Sequence, residues 1–139
     1  MFYWHLGAIA TAIPSEIYGY WSLHHKYGKL PWKTLFQPTI DLCNNGYKVS
    51  KYLANVLRLH EERLRKEPTM MEIFLNPQTN ELFQEGEIMY RPRLGETLRI
   101  LAEEGPDAIY GGGRLGRMLV EDIQELGGII TEHDLQTYK

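Results

Sequence analysis

The chain has 139 residues, 43% of them hydrophobic and 24% charged. That is enough apolar material for a core, which excludes a compositionally disordered chain. The formal net charge is −3 and no run of five like charges occurs, so no nucleic-acid partner is expected, since such a partner calls for a basic face.

The stretch MFYWHLGAIATAIPS carries no Asp, Glu, Lys or Arg. It is shorter than the roughly 20 residues of a membrane helix and lacks the basic start of a secretory leader. Its run length and flanks predict a buried strand over residues 8–13, ended by Pro14. A start this apolar is expected to need partner strands that these residues do not supply.

A first helix is predicted over residues 15–27, with Ser15 as N-cap, Glu16 at the positive end of the helix dipole and Gly28 as stop. A second spans residues 31–45. Pro31 suits its first turn, and Pro38 should kink it or break it into two pieces. Phe36, Ile40 and Cys43 share one face, which makes the single cysteine a packing residue rather than a reactive thiol. Gly46 closes the block.

Residues 50–66 carry a stripe of Leu53, Val56, Leu57, His60 and Leu64 at helical spacing, with Arg58, Glu61, Glu62, Arg63 and Arg65 opposite as a solvated face. His60 on the apolar side reads as a hydrogen-bonded core histidine. EIFL, the turn signal NPQTN and ELF then predict a short β-hairpin. A helix over residues 92–104 presents Leu94, Leu98, Leu101 and Ala102 and stops at Gly105. Another over residues 115–126 presents Leu119, Val120, Ile123 and Leu126 and stops at Gly127-Gly128. GIIT reads as a short strand, and Thr131 as the N-cap of a final short helix. No block repeats another and no linker divides the chain, so residues 1–139 are read as one piece.

The chemical motifs fail their context tests. GGGRLG over residues 111–116 matches G-x-G-x-x-G, but a helix, a turn and a short helix precede it where a buried strand is required, so a flexible glycine connector between two helices is expected. His60-Glu61 opens like a zinc-protease motif, but Leu64 stands where the second histidine belongs. His24-His25 has no carboxylate at ligand spacing. No G-x-S-x-G elbow occurs. One cysteine makes neither an internal disulfide nor a zinc site. No catalytic residue, metal site or cofactor is predicted.

One segment does carry a specific pattern. IPSEIYGYWSLHHKYGKLPWKTLFQPTIDLCNNGY resembles the heavy-subunit region of γ-glutamyltranspeptidases, also called glutathione hydrolases. The residues in register are Pro14, Glu16, Gly19, Tyr20, His24, Gly28, Leu30, Pro31, Trp32, Leu35, Phe36, Pro38, Ile40, Gly46 and Tyr47. Further on, EGPDAIYGGGRLGRMLVEDIQELGGIITEHDLQTY is similar to the same family through Asp122, Ile123, Gly127, Gly128, Ile129, Thr131, Asp134, Leu135 and Tyr138. Ser15 stands where the family has a turn glycine, and Leu23 and Cys43 where it has alanine.

The resemblance implies a chain that is mainly α with a few short strands, the helical part of the αββα sandwich of an N-terminal nucleophile hydrolase. It implies that Gly28–Trp32 is a structural elbow between two helices. It also implies an enzyme that takes the γ-glutamyl group from glutathione, through a threonine acyl-enzyme, and passes it to water or to an amino acid or peptide. The family's substrate arginine, nucleophile threonine and oxyanion glycines match no position here. Arg91, Arg93, Arg114 and Arg117 do not match that arginine, and Thr39, Thr69 and Thr131 do not match that threonine. The chain is therefore read as an inactive internal fragment of the heavy subunit. Its implied partners are the light subunit of the same precursor and, in the whole enzyme, glutathione or other γ-glutamyl compounds; its implied place is the cell surface or secreted space. The alternative is a noncatalytic helical binding module derived from the family.

Overall fold

The computed structural model describes residues 7–138. Eight α-helices and four two-residue strands follow one another among them: α1 (Glu16–Tyr27), α2 (Trp32–Asn45), β1 (Tyr47–Lys48), α3 (Lys51–Leu59), α4 (Glu61–Leu64), α5 (Pro68–Phe74), β2 (Leu75–Asn76), β3 (Glu81–Leu82), β4 (Ile88–Met89), α6 (Pro92–Glu104), α7 (Arg114–Glu125) and α8 (Glu132–Thr137). Short 3-10 turns occupy Ala8–Ala10 and Gly105–Ala108. The class is the expected one, mainly α with a few short strands. By contacts the chain forms two compact units, Pro38–Glu96 and the residues on either side of it, Met1–Gln37 with Thr97–Lys139.

The Pro38–Glu96 unit is built around Val49, Leu57, Leu82, Phe83 and Met89, with Tyr47, Leu53, Leu64, Met71 and Phe74 packed against them. Ser50 caps α3, its side chain accepting the Leu53 N–H. Truncating a core residue such as Met89 would cost about 2–5 kcal/mol. β1 pairs antiparallel with β4, Tyr47 opposite Met89, and β2 with β3, Leu75 opposite Leu82. The β2–β3 turn closes on Asn80 in the left-handed region, while the Asn76 side chain accepts the Gln78 N–H. Gly46 leaves α2 at φ 83°, and a Cβ there would lie 2.6 Å from Ile88 Cγ2, so the position excludes a side chain on both counts. Cys43 is buried, as its helical face predicts.

The flanking unit has two linked clusters. Ile100, Leu101 and Ala108 gather Ile17, Phe36 and Leu115. Val120, Ile123, Ile130 and Leu135 gather Ala8, Ile13 and Leu119, and Ile109 touches both groups. Thr131 and Asp134 form a reciprocal capping box at α8, each side chain accepting the other's backbone N–H.

Several expectations are corrected. Residues 8–13 form no strand: a 3-10 turn is followed by extended chain, Ile9 is 70% exposed, and only Ala8 and Ile13 pack inward. Three residues of turn leave no ladder to pair. Of the two outcomes expected at Pro38, a break does not occur: α2 is one helix from Trp32 to Asn45, because loss of one amide bond in 14 residues does not end it. The predicted helix over residues 50–66 divides at His60, which is exposed at the α3–α4 junction and is not a core histidine. Residues 72–74 belong to α5, so only Leu75–Asn76 and Glu81–Leu82 form the hairpin. GIIT forms no strand; Ile130 is buried while Ile129 is 77% exposed. Leu126, placed on the α7 stripe, is 78% exposed just past the helix end.

Candidate functional site

Helix α1 ends because Gly28 leaves the helical region at φ −67°, ψ 146°, with its N–H still bonded to the His24 carbonyl. Four residues later α2 begins at Trp32. The Trp32 ring fixes this elbow. It meets Trp21 edge-on at 5.1 Å, His24 at 5.3 Å and Phe36 at 4.8 Å. Its indole N–H donates to the Leu101 carbonyl at 2.9 Å. The His24 Nε2 bonds the Leu30 carbonyl at 2.8 Å, tying the helix to the elbow it feeds. Trp21, His24 and His25 stand at i, i+3 and i+4, so α1 itself aligns these rings.

Gly28 is required for space. A Cβ there would collide with the His24 ring and lie 2.5 Å from the His24 carbonyl oxygen. Beside the elbow, Lys33 bonds Glu103 at 3.3 Å and Arg99 bonds it at 2.6 Å. These two cations hold the Glu103 carboxyl below its usual range, the Lys33 hydrogen bond being the largest cause.

At the other end of α1, the Tyr110 hydroxyl donates to the Pro14 carbonyl and accepts the Tyr18 N–H. Tyr18, Tyr110 and Tyr138 make mutual ring contacts at 5.5–6.0 Å. Burial raises the Tyr110 phenol above its ordinary range, partly offset by the Tyr18 bond. Ser15 occupies the N-cap position, but its side chain makes no capping bond. Glu16 accepts from Tyr20, which raises the Tyr20 phenol.

Of the motif residues singled out from sequence, His24, Gly28, Pro31 and Trp32 come together in the elbow. Pro14 and Glu16 lie at the start of α1. Gly19 lies on its outside, where an added Cβ would have nothing within 4 Å. Pro38 sits in the middle of α2 and Gly46 just after its end, in the other unit. Sequence reasoning did not single out Trp21, Tyr18 or Tyr110, and it named Leu101 only as a core leucine and Tyr138 only as a residue of the family resemblance. The i, i+3, i+4 spacing of Trp21 and the histidines is a readable signal, whereas a backbone acceptor 69 residues away leaves none.

Thr131, Arg93, Arg117 and the glycines of residues 111–116, all considered from the sequence, serve structural contacts. Among the described residues no three His, Cys, Asp or Glu side chains could hold a metal. Thr131 is used as a helix cap. Arg93 pairs with Glu72 at 2.7 Å, and Arg117 donates to the Gly112 carbonyl. The glycines of residues 111–116 follow a 3-10 turn rather than a strand and are packed tightly: a Cβ on Gly116 would collide with the Ile109 carbonyl oxygen. Gly111, Gly112 and Gly113 connect the 3-10 turn to α7, packed closely rather than as the flexible link expected, and Gly116 lies within α7 itself. No helix of the described residues is long and apolar enough to cross a membrane.

The family model described as Gamma-glutamyltranspeptidase matches residues 3–139. The chain is 38% identical over 133 residues to scoloptoxin SSD14 of Scolopendra dehaani, and 38% identical over 134 residues to glutathione hydrolase 3 of Arabidopsis thaliana. Each match covers 96% of this chain, which spans only 23% and 21% of those relatives' lengths. Among solved structures, the γ-glutamyltranspeptidase of Helicobacter pylori superposes with a TM-score of 0.89 at 29% identity, over 98% of this chain and 38% of that one. A cephalosporin acylase of Bacillus halodurans, at 24% identity and a TM-score of 0.85, shares the fold over 96% of this chain and 25% of that one. The chain belongs to the γ-glutamyltranspeptidase family.

Proposed function

We propose that this chain is the helical heavy-subunit portion of an enzyme that cleaves the γ-glutamyl bond of glutathione. In that enzyme a threonine on the light subunit of the same precursor attacks the γ-glutamyl carbonyl. The acyl-enzyme passes the group to water or to an amino acid or peptide. The 139 residues supply scaffold and no reacting group, and by themselves hydrolyse nothing. The enzyme works at the cell surface or in the secreted space.

The observation that carries this reading is the continuous family match over residues 3–139. The names of several relatives as proenzymes, the human glutathione hydrolase 5 proenzyme among them, support a partner subunit cut from one precursor. The described residues contain interlocked aromatic and glycine packing where a catalytic constellation would need convergent polar groups, which supports a scaffold role.

Sequencing the source transcript through both ends of this stretch tests the proposal. The expected frame continues beyond residue 139 to a threonine at a processing junction and has an arginine codon upstream of residue 1. A stop codon directly after residue 139 in a genuine transcript would replace this reading with that of a noncatalytic helical binding module.

A further inference from the structure

Beside the elbow lies an open cleft of about 370 Å³, walled by Trp21 and Trp32 and bordered by Glu103, Glu104 and Asp107. Its floor is buried Ala102 and Pro106. Both indoles line the space, with their rings set at 88° to one another. The carboxylates differ in their commitments. Glu103 is shared between Lys33 and Arg99. Glu104 and Asp107 have no side-chain partner among the described residues.

We propose that this cleft binds a guanidinium group, the side chain of an arginine, against the Trp21 and Trp32 rings with Glu104 and Asp107 as its counter-charges. A planar, weakly hydrated cation that stacks on indole and donates several hydrogen bonds suits a wall of two aromatic rings with two uncommitted carboxylates. An aliphatic ligand would leave those carboxylates facing it, and an anion would be repelled by them. Three carboxylates stand against two cations around the cleft, Lys33 and Arg99, and both cations are already bonded to Glu103. The net field at the open carboxylates therefore favours positive charge. The Trp32 indole N–H is spent on the Leu101 carbonyl, so the ring offers its surface rather than a donor. The inference does not rest on the proposed enzyme activity.

The test is a titration of the 139-residue chain with Nα-acetyl-arginine amide, following the Trp21 and Trp32 indole N–H resonances, assigned by Trp→Phe substitution. The uncharged isostere Nα-acetyl-citrulline amide is run alongside. The expected result is a saturable shift of both resonances with the arginine compound, about tenfold weaker with citrulline. The double substitution Glu104→Gln, Asp107→Asn lowers arginine affinity about tenfold while the rest of the spectrum is unchanged. Equal response to citrulline, absence of any saturable shift, or undiminished binding in the double variant overturns the proposal. Glu104→Gln alone, at an exposed position, serves the same purpose should the double variant fail to fold.

Discussion

The Trp32 indole N–H donates to the carbonyl of Leu101 at 2.9 Å, joining the start of α2 to the last turn of α6 across 69 residues of chain. This bond, with the ring contacts to Trp21, His24 and Phe36, turns a short connection into a fixed elbow. Trp32→Phe keeps most of the aromatic packing and removes the donor. It is expected to destabilise the chain by about 1 kcal/mol. Trp32→Ala also removes the packing and should cost about 3 kcal/mol in all. Urea unfolding of both variants and the parent checks both values. Equal stability of the Phe variant and the parent would show that the bond contributes nothing.

Two glycines of α1 and its exit separate conformation from space. Gly28 has an ordinary backbone geometry, yet a Cβ there collides with the His24 carbonyl oxygen, a backbone atom that has little room to yield. Gly28→Ala is expected to destabilise by about 1–3 kcal/mol. Gly19 lies in the first half of α1 with open space around it, so Gly19→Ala should stabilise by about 0.5–1 kcal/mol through helix propensity. Thermal melts of the pair should move in opposite directions.

Gly116, within α7, makes the stronger case. A Cβ there collides with the Ile109 carbonyl oxygen. Gly116→Ala is expected to force the 3-10 turn and α7 apart, with the loss of a cooperative thermal transition as the readout. A melting temperature unchanged from the parent would contradict the packing described.

The α8 capping box predicts a pH dependence. Hydrogen bonds from Thr131, its side chain first and then its backbone, hold the Asp134 carboxyl below the usual aspartate range. A group depressed in the folded state stabilises it at pH above its unfolded value. That contribution is lost as pH falls through the lower folded value. Helix α8 should therefore loosen in acid, below the ordinary aspartate range. Thr131→Ala should remove about 1 kcal/mol of helix capping at neutral pH and flatten this dependence. Amide exchange of residues 132–137 against pH is the measurement.

Pro38 tests whether an interior proline is tolerated or compensated. Helix α2 continues through it, so the Thr34 carbonyl lacks the amide that residue 38 would supply. Pro38→Ala restores that amide and is expected to raise stability by about 1–3 kcal/mol, read by urea unfolding.

How much of this is legible in the sequence depends on the range of the interaction. Helices α1, α2, α6, α7 and α8 follow from local signals: Gly28, Gly46 and Gly105 as stops, Thr131 as cap, and leucines at helical spacing. His60 escapes the stripe it belongs to by spacing, because a stripe predicts a face only while the helix lasts, and this one divides there. Residues 8–13 read as a strand in isolation because a short apolar run is ambiguous until its partners are known. The elbow is visible as Gly28, Pro31 and Trp32. Its acceptor on Leu101 and the Tyr18–Tyr110–Tyr138 group are not, since pairs so far apart in sequence have no spacing rule to reveal them.

Hydrolysis of γ-glutamyl-p-nitroanilide by two samples tests the scaffold role most directly. One sample is the pure 139-residue chain; the other is the native protein recovered from its source with an antibody against this chain. The expected result is release of p-nitroaniline by the recovered protein, saturable and competed by glutathione, and none above buffer by the chain alone. Saturable release by the chain alone would contradict its role as a scaffold, and no release by the recovered protein would contradict the proposed enzyme.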